Sequence, residues 1–336
     1  LLHDMCVTTR SLHRVKANPD NTFAVVQATG GEAYVWSISD SSQALSQVIS
    51  NAVTGTAINQ TGDRLLITYT AGMTLRSTDT QESILALQTN GITRMNDSGT
   101  HFAVVANGQL IVYDARTAIQ QNSWSVPMDD VRDVLLSPTG QEALIEGQAG
   151  ELWLVRENTT SVIPLNVSDV SPAFRVQFNA DGTAFITIHP ESAILWETST
   201  ASQIQRFPLG LSPDSALAER VKVAFGDEGH HIWFFVELSN NIAGLTGFQL
   251  DGDDVTRQTF VDAVRGDLTL DGAYLLLAST DNSIQIINTA TLEVMRRLVG
   301  HADTVTTMIY QSDNQRLFSG SKDNTVLVWD VAQGTI

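Results

Sequence analysis

Apolar and polar positions follow one pattern along this chain, and the pattern recurs eight times. Each copy opens with a strand of the form apolar-x-x-apolar-x-apolar, as at Val305, Met308 and Tyr310 or at Val131, Val134 and Leu136. The step of three is one residue too long for strict alternation, which predicts a β-bulge. A four-residue polar turn follows: NPDN from Asn18, NQTG from Asn59, NDSG from Asn96, SPTG from Ser137, NADG from Asn179, GDEG from Gly226, TLDG from Thr269 and QSDN from Gln311. Successive turns begin 41, 37, 41, 42, 47, 43 and 42 residues apart. Next come a short apolar strand such as Phe23–Ala28 and a hairpin carrying Gly, Asp or Asn. A third, alternating strand then ends at Trp36, Arg76, Tyr113, Val155, Trp196, Phe248, Ile287 or Trp329. A weaker fourth strand, for example Glu293–Leu298, leads onward. Helical periodicity is nearly absent, so the chain is expected to be all-β. A strand-rich period near forty predicts a propeller-type array.

The last copy carries the most specific residues: Gly300-His301, then SGSKD at Ser319–Asp323, then VLVWD at Val326–Asp330. In these it is similar to the WD-repeat β-propeller family. Elsewhere the signature decays to Trp36-Ser37, Tyr113-Asp114, Trp196-Glu197 and Ile287-Asn288. The resemblance implies four-stranded antiparallel blades around a central channel. It also matches His301, Ser319, Asp323 and Trp329 to the buried tetrad that ties a blade's strands together. The expectation is one eight-bladed propeller over residues 1–336, the alternative a seven-bladed ring plus a partial extra repeat. The last copy has three strands and then only VAQGTI. Aligning Leu12 with Val305 places Leu1–Met5 where a fourth strand belongs, so residues 1–5 are expected to close the last blade and cover its edge.

Composition narrows the partners. The net charge is −18 with three lysines in 336 residues, which argues against nucleic acid or an anionic membrane as a bulk partner. No apolar run approaches the roughly 18 residues of a membrane helix, so no membrane insertion is expected. The start, LLHDMCVTTR, carries no secretory signal and reads as a processed or excised end. Cys6 is the single cysteine. The seven histidines show no metal-binding spacing, and Asp251, Asp253 and Asp254 lack the ligand series of a calcium loop. No metal or other cofactor is expected. Asn-x-Ser/Thr sequences at Asn59, Asn96, Asn158 and Asn166 occur at chance frequency.

Ser319, His301 and Asp323 are the one serine–histidine–acid set that the repeat geometry would bring together. The tetrad accounts for them structurally, so no enzyme is expected. A second constellation is basic. At the second bulge position of the innermost strands stand Arg14, Gly55, Ile92, Asp133, Arg175, Lys222, Arg265 and Thr307. Nineteen basic residues in the chain would place fewer than one at eight such positions, yet four are found. Arg14, Arg175, Lys222 and Arg265 are therefore expected to form a basic arc at the channel mouth, unless acids such as Asp130, Asp133, Asp262 or Asp267 neutralise them. The sixth repeat is the longest, through Pro208–Arg220 and the hairpin Glu237–Gly247, which are expected to share one face. The function expected is a non-enzymatic scaffold, or the sensor part of a larger protein, binding a protein or peptide, including one with acidic groups. The alternatives are a small anionic ligand in the channel, or a propeller enzyme.

Overall fold

The asparagine or hydroxyl residue that opens five of the polar turns supplies the first reason for the fold. In the computed structural model, Asn59 Oδ1 accepts the Arg64 N–H at 2.9 Å, and Asn96 and Asn179 accept from His101 and Ala184 at 3.0 Å. Ser137 and Thr269 accept from Glu142 and Tyr274 through their hydroxyls. A short polar side chain thus caps the turn that joins the first two strands of a repeat. The fourth turn position is glycine at Gly62, Gly99, Gly140 and Gly182, with φ between 68° and 78°, a left-handed conformation that glycine adopts without a Cβ clash. The side chains of Asn59 and Asn96 are consumed by this capping at 2% and 4% exposure, so neither amide is open to glycosylation.

The structure describes the chain apart from residues 1–3, 7–11, 18–22, 29–32, 38–45, 50–52, 79, 81, 90, 127–130, 157–162, 166–172, 174, 210–220, 227–230, 238–243, 252–253, 270–272, 312–314 and 332–336. In the first and sixth sheets it gives the strands and few side chains. The architecture is an all-β propeller. The described strands form eight four-stranded antiparallel sheets, numbered here along the chain, and within the first seven each strand pairs with its sequence neighbours. In the eighth, Asp4–Cys6 lies antiparallel to Thr325–Asp330, with Asp4 opposite Leu327 and Cys6 opposite Thr325.

The bulge predicted from the step of three is present in the first, second, fourth, seventh and eighth sheets. There the register shifts at Leu12/Arg14, Val53/Gly55, Val131/Asp133, Ala263/Arg265 and Val305/Thr307. It is absent from the sixth, where Val221–Gly226 pairs regularly from Val221 opposite Val236 to Gly226 opposite His231. Val221, Val223 and Phe225 alternate there without an extra residue. Arg175–Phe178 of the fifth sheet also pairs without a shift.

Apolar faces of consecutive sheets make the core. Val25 and Val35 pack on Val53 and Ile67 of the second sheet, whose Leu66 and Met73 pack on Phe102 and Val104 of the third. The third and fourth share Val112, Trp124, Val134 and Ile145, while the fourth and fifth share Leu144, Leu154, Phe178 and Trp196. Ile186 and Phe207 meet Val223 and Phe225 of the sixth. The seventh touches the sixth through its inner strand Ala263–Leu268, and its Leu276 and Ile286 meet Leu317 and Trp329 of the eighth. The inner strand of the first sheet, Leu12–Ala17, contacts that of the eighth, Val305–Gln311. Each fully buried Leu, Ile or Phe contributes about 1.5–3 kcal/mol relative to exposure.

Candidate functional site

Among the described residues, two features carry chemistry: a sealed polar network in the eighth sheet and a charged cavity in the channel. In the network, Trp329 Nε1–H donates to Ser319 Oγ at 2.7 Å. The Ser319 hydroxyl is left to donate to His301 Nε2, also 2.7 Å away, and His301 Nδ1–H donates to Asp323 at 2.9 Å. The structure thus brings His301, Ser319, Asp323 and Trp329 together. Ser319 is 1% exposed and the His301 side chain is fully buried, so no substrate reaches the hydroxyl. The Asp323 carboxylate also accepts from the Ala302 N–H and from Thr325 through its N–H and hydroxyl. Burial pushes its pKa up, but these hydrogen bonds outweigh burial and hold it at about 2.

A related network lies in the fifth sheet, and sequence reading missed it. Trp196 Nε1–H donates to Thr187 Oγ1 at 3.0 Å, and Thr187 Oγ1 lies 2.9 Å from His189 Nε2. Trp196 opposes Phe185 as Trp329 opposes Leu317, so Thr187 occupies the place of Ser319. The histidine, however, comes from the same segment, two residues beyond Thr187 and just past the end of its strand. The signal was present as Trp196 paired with a hydroxyl two residues beyond its partner.

The channel cavity has a volume of about 610 Å³ and is lined mainly from the inner strands of the second to fifth sheets, including Thr54, Thr93, Arg94, Arg132, Asp133 and Arg175, with Glu146 from the second strand of the fourth. Arg94 Nε lies 2.8 Å from Asp133, joining the third sheet to the fourth, and Arg132 lies 2.9 Å from Glu146. Burial raises the Glu146 pKa, as does the Asp133 charge, against the lowering effect of Arg132. Arg94 was not among the expected basic residues because it sits one pleat deeper than the aligned position. Reading every second residue of the inner strands would have found it.

The structure places the four basic residues as follows. Arg175 opens its strand opposite Ile188, is exposed, and makes no ion pair or hydrogen bond among the described residues. Arg265 follows the bulge of the seventh sheet, opposite Ala278, and its buried Nε has no hydrogen-bond partner. Arg14 follows the bulge of the first sheet opposite Gln27, and Lys222 lies opposite Phe235. The side chains of those two lie outside the described residues. Of the acids expected to neutralise the arc, Asp133 is engaged by Arg94, and Asp130 lies outside the described residues. The long segments of the sixth repeat likewise fall on 210–220 and 238–243, outside the described residues. Asp251 and Asp254 oppose each other in the hairpin of that sheet, and Asp253 lies outside the description. No helix among the described residues is long and apolar enough to cross a membrane.

Residues 292–330 match the family described as "WD domain, G-beta repeat". The chain is also 29% identical over 115 residues to "Polycomb group protein FIE1" of Oryza sativa subsp. japonica. That match covers 31% of this chain and 31% of the rice protein.

Proposed function

We propose that this chain, which belongs to the WD40-repeat β-propeller family, is a non-enzymatic platform that binds a protein or peptide partner. The observation that carries the reading is where its reactive side chains lie. Among the described residues, the one serine–histidine–aspartate set is sealed in the eighth sheet, with Ser319 at 1% exposure, and serves as strand-to-strand glue. A rigid all-β body then leaves its loops and channel mouth for recognition. The likeness to a Polycomb group protein is consistent with a role in an assembly. Within this reading the eight sheets form one ring over residues 1–336, closed where residues 1–5 join the last blade. Arg14, Arg175, Lys222 and Arg265 present a basic arc to acidic groups of the partner. Because the rest of the molecule is strongly acidic, such an arc would focus attraction at the mouth.

The test compares the wild-type chain with an Arg175→Ala, Arg265→Ala double variant. Partner proteins are captured from the native source, the abundant one is purified, and its affinity is measured across a salt series. Loss of two charge-assisted contacts is expected to weaken binding by about ten- to a hundredfold and to flatten the salt dependence. Unchanged affinity and salt slope would remove the arc from the interface. Capture of no stoichiometric protein would remove the platform reading.

A further inference from the structure

The geometry points to the channel cavity between the second and fifth sheets as a binding site for a small monocarboxylate with an apolar body. The volume of about 610 Å³ falls within the range of pockets that enclose drug-sized ligands, roughly 300–1,000 Å³. The charges on its wall are unevenly paired. Arg94 is held by Asp133 and Arg132 by Glu146, which leaves Arg175 as a wall cation without an acid and Asp97, in the turn beyond Met95, as a wall acid without a cation. In a chain of net charge −18 that unpaired cation attracts one negative group, and a planar carboxylate fits a guanidinium fork bidentately. Arg94 and Arg132 are each already neutralised by an acid, so a bare phosphate would meet a single unneutralised cation.

Further along the inner strands the wall turns apolar, at Ala57, Met95 and Leu135. These residues lie one to three positions beyond the level of Gly55, Asp133 and Arg175. A ligand with its carboxylate at Arg175 would therefore lay a hydrocarbon or aromatic body against them, removing apolar surface from water on both sides. Threonine hydroxyls at Thr54 and Thr68 are already tied to each other and to the Gly55 carbonyl, so this part of the wall is set before any ligand arrives. This site does not depend on the platform reading: octanoate binding can persist where protein capture fails, and the reverse.

Calorimetric titration of the whole chain with octanoate and with phenylbutanoate tests the inference, with octylamine, inorganic phosphate and a glutamate-rich peptide as comparisons. The expected result is one site for each carboxylate, weakened about tenfold or more by Arg175→Ala, weakened also by Gln177→Trp, whose indole narrows the cavity, and not shared by octylamine. Circular dichroism verifies that each variant is folded. Independently of any variant, the methyl resonance of Met95 should shift on titration of the wild-type chain with octanoate. Several results overturn the site: no carboxylate binding at millimolar concentration, binding that survives both substitutions, or an unmoved Met95 signal. Phosphate binding as tight as octanoate would replace the apolar-bodied ligand by a bare anion. A peptide that binds and is indifferent to Gln177→Trp would put the recognised group outside the cavity.

Discussion

Asp323 keeps its charge inside the eighth sheet because hydrogen bonds to the ionised form outweigh the burial that opposes it. Its side chain is 9% exposed, and its pKa is lowered to about 2 from an ordinary unfolded value near 4. A depressed carboxylate stabilises the fold fully above the unfolded pKa, and the contribution is lost as pH falls through the folded one. The eighth sheet should therefore lose about 2 kcal/mol of stability between roughly pH 4 and pH 2. Denaturant unfolding of the wild type and of Asp323→Asn across that range checks this. The variant should be less stable at neutral pH, and its stability should change less with acid; equal slopes would contradict the assignment. His301, Ser319 and Trp329 were legible in the sequence because the last repeat keeps the whole signature in order. The fifth sheet builds a related device from Thr187, His189 and Trp196, and there the order of residues differs. Sequence position hides such a substitution, since spatial proximity in a sheet depends on register and not on motif order. Arg94 was hidden for a similar reason: a two-residue offset along a strand keeps a side chain on the same face, where alignment by turn separates it from its neighbours.

At the level of elements, the turns do more than reverse the chain. The Gln60 N–H donates to the Gly99 carbonyl at 3.0 Å, which ties the turn of the second sheet to that of the third. Asn96 Nδ2 donates to the Ser137 and Pro138 carbonyls, tying the third to the fourth. Gly99 is thus constrained twice. Its φ is +68°, and a Cβ there would stand 2.5 Å from the Gln60 backbone nitrogen and 2.9 Å from the Asn59 carbonyl carbon. Backbone atoms of a neighbouring sheet cannot rotate away. Gly108 shares the left-handed φ, +71°, but its Cβ would meet nothing nearer than 3.9 Å. Gly108→Ala should then cost only the conformational penalty of about 1–2 kcal/mol. Gly99→Ala should cost clearly more, because the second and third sheets must separate locally. Chemical denaturation of the two variants measures the difference, and equal losses would show that the contact between sheets gives way freely. The polar turns were plain in the sequence as eight spaced motifs; their role between sheets was not, because it depends on which turns become neighbours.

For the whole molecule the decisive contact is the one that joins its two ends. The inner strands of the first and eighth sheets touch, and Asp4–Cys6 supplies the strand that flanks Thr325–Asp330. Without it the last strand would present unpaired backbone groups, an open edge prone to pairing with other chains. The chain tests its own closure, since Cys6 is its single cysteine and lies opposite Thr325. Directly opposed residues of an antiparallel pair have Cα atoms about 4.5–5.5 Å apart, within the span of roughly 4.4–6.8 Å that a disulfide bridges. A Thr325→Cys variant should therefore form an intramolecular disulfide on mild oxidation, visible as faster migration on a non-reducing gel without dimer. The comparison is made within that variant, oxidised against reduced, because Thr325 also donates to Asp323. A link between positions 6 and 325 closes nearly the whole chain into a loop, and loop-closure entropy sets its contribution at up to about 5 kcal/mol. The oxidised form should melt well above the reduced one. If only dimers form, or if oxidation leaves the melting temperature unmoved, the N-terminal strand does not close the ring and the last sheet ends in an open edge.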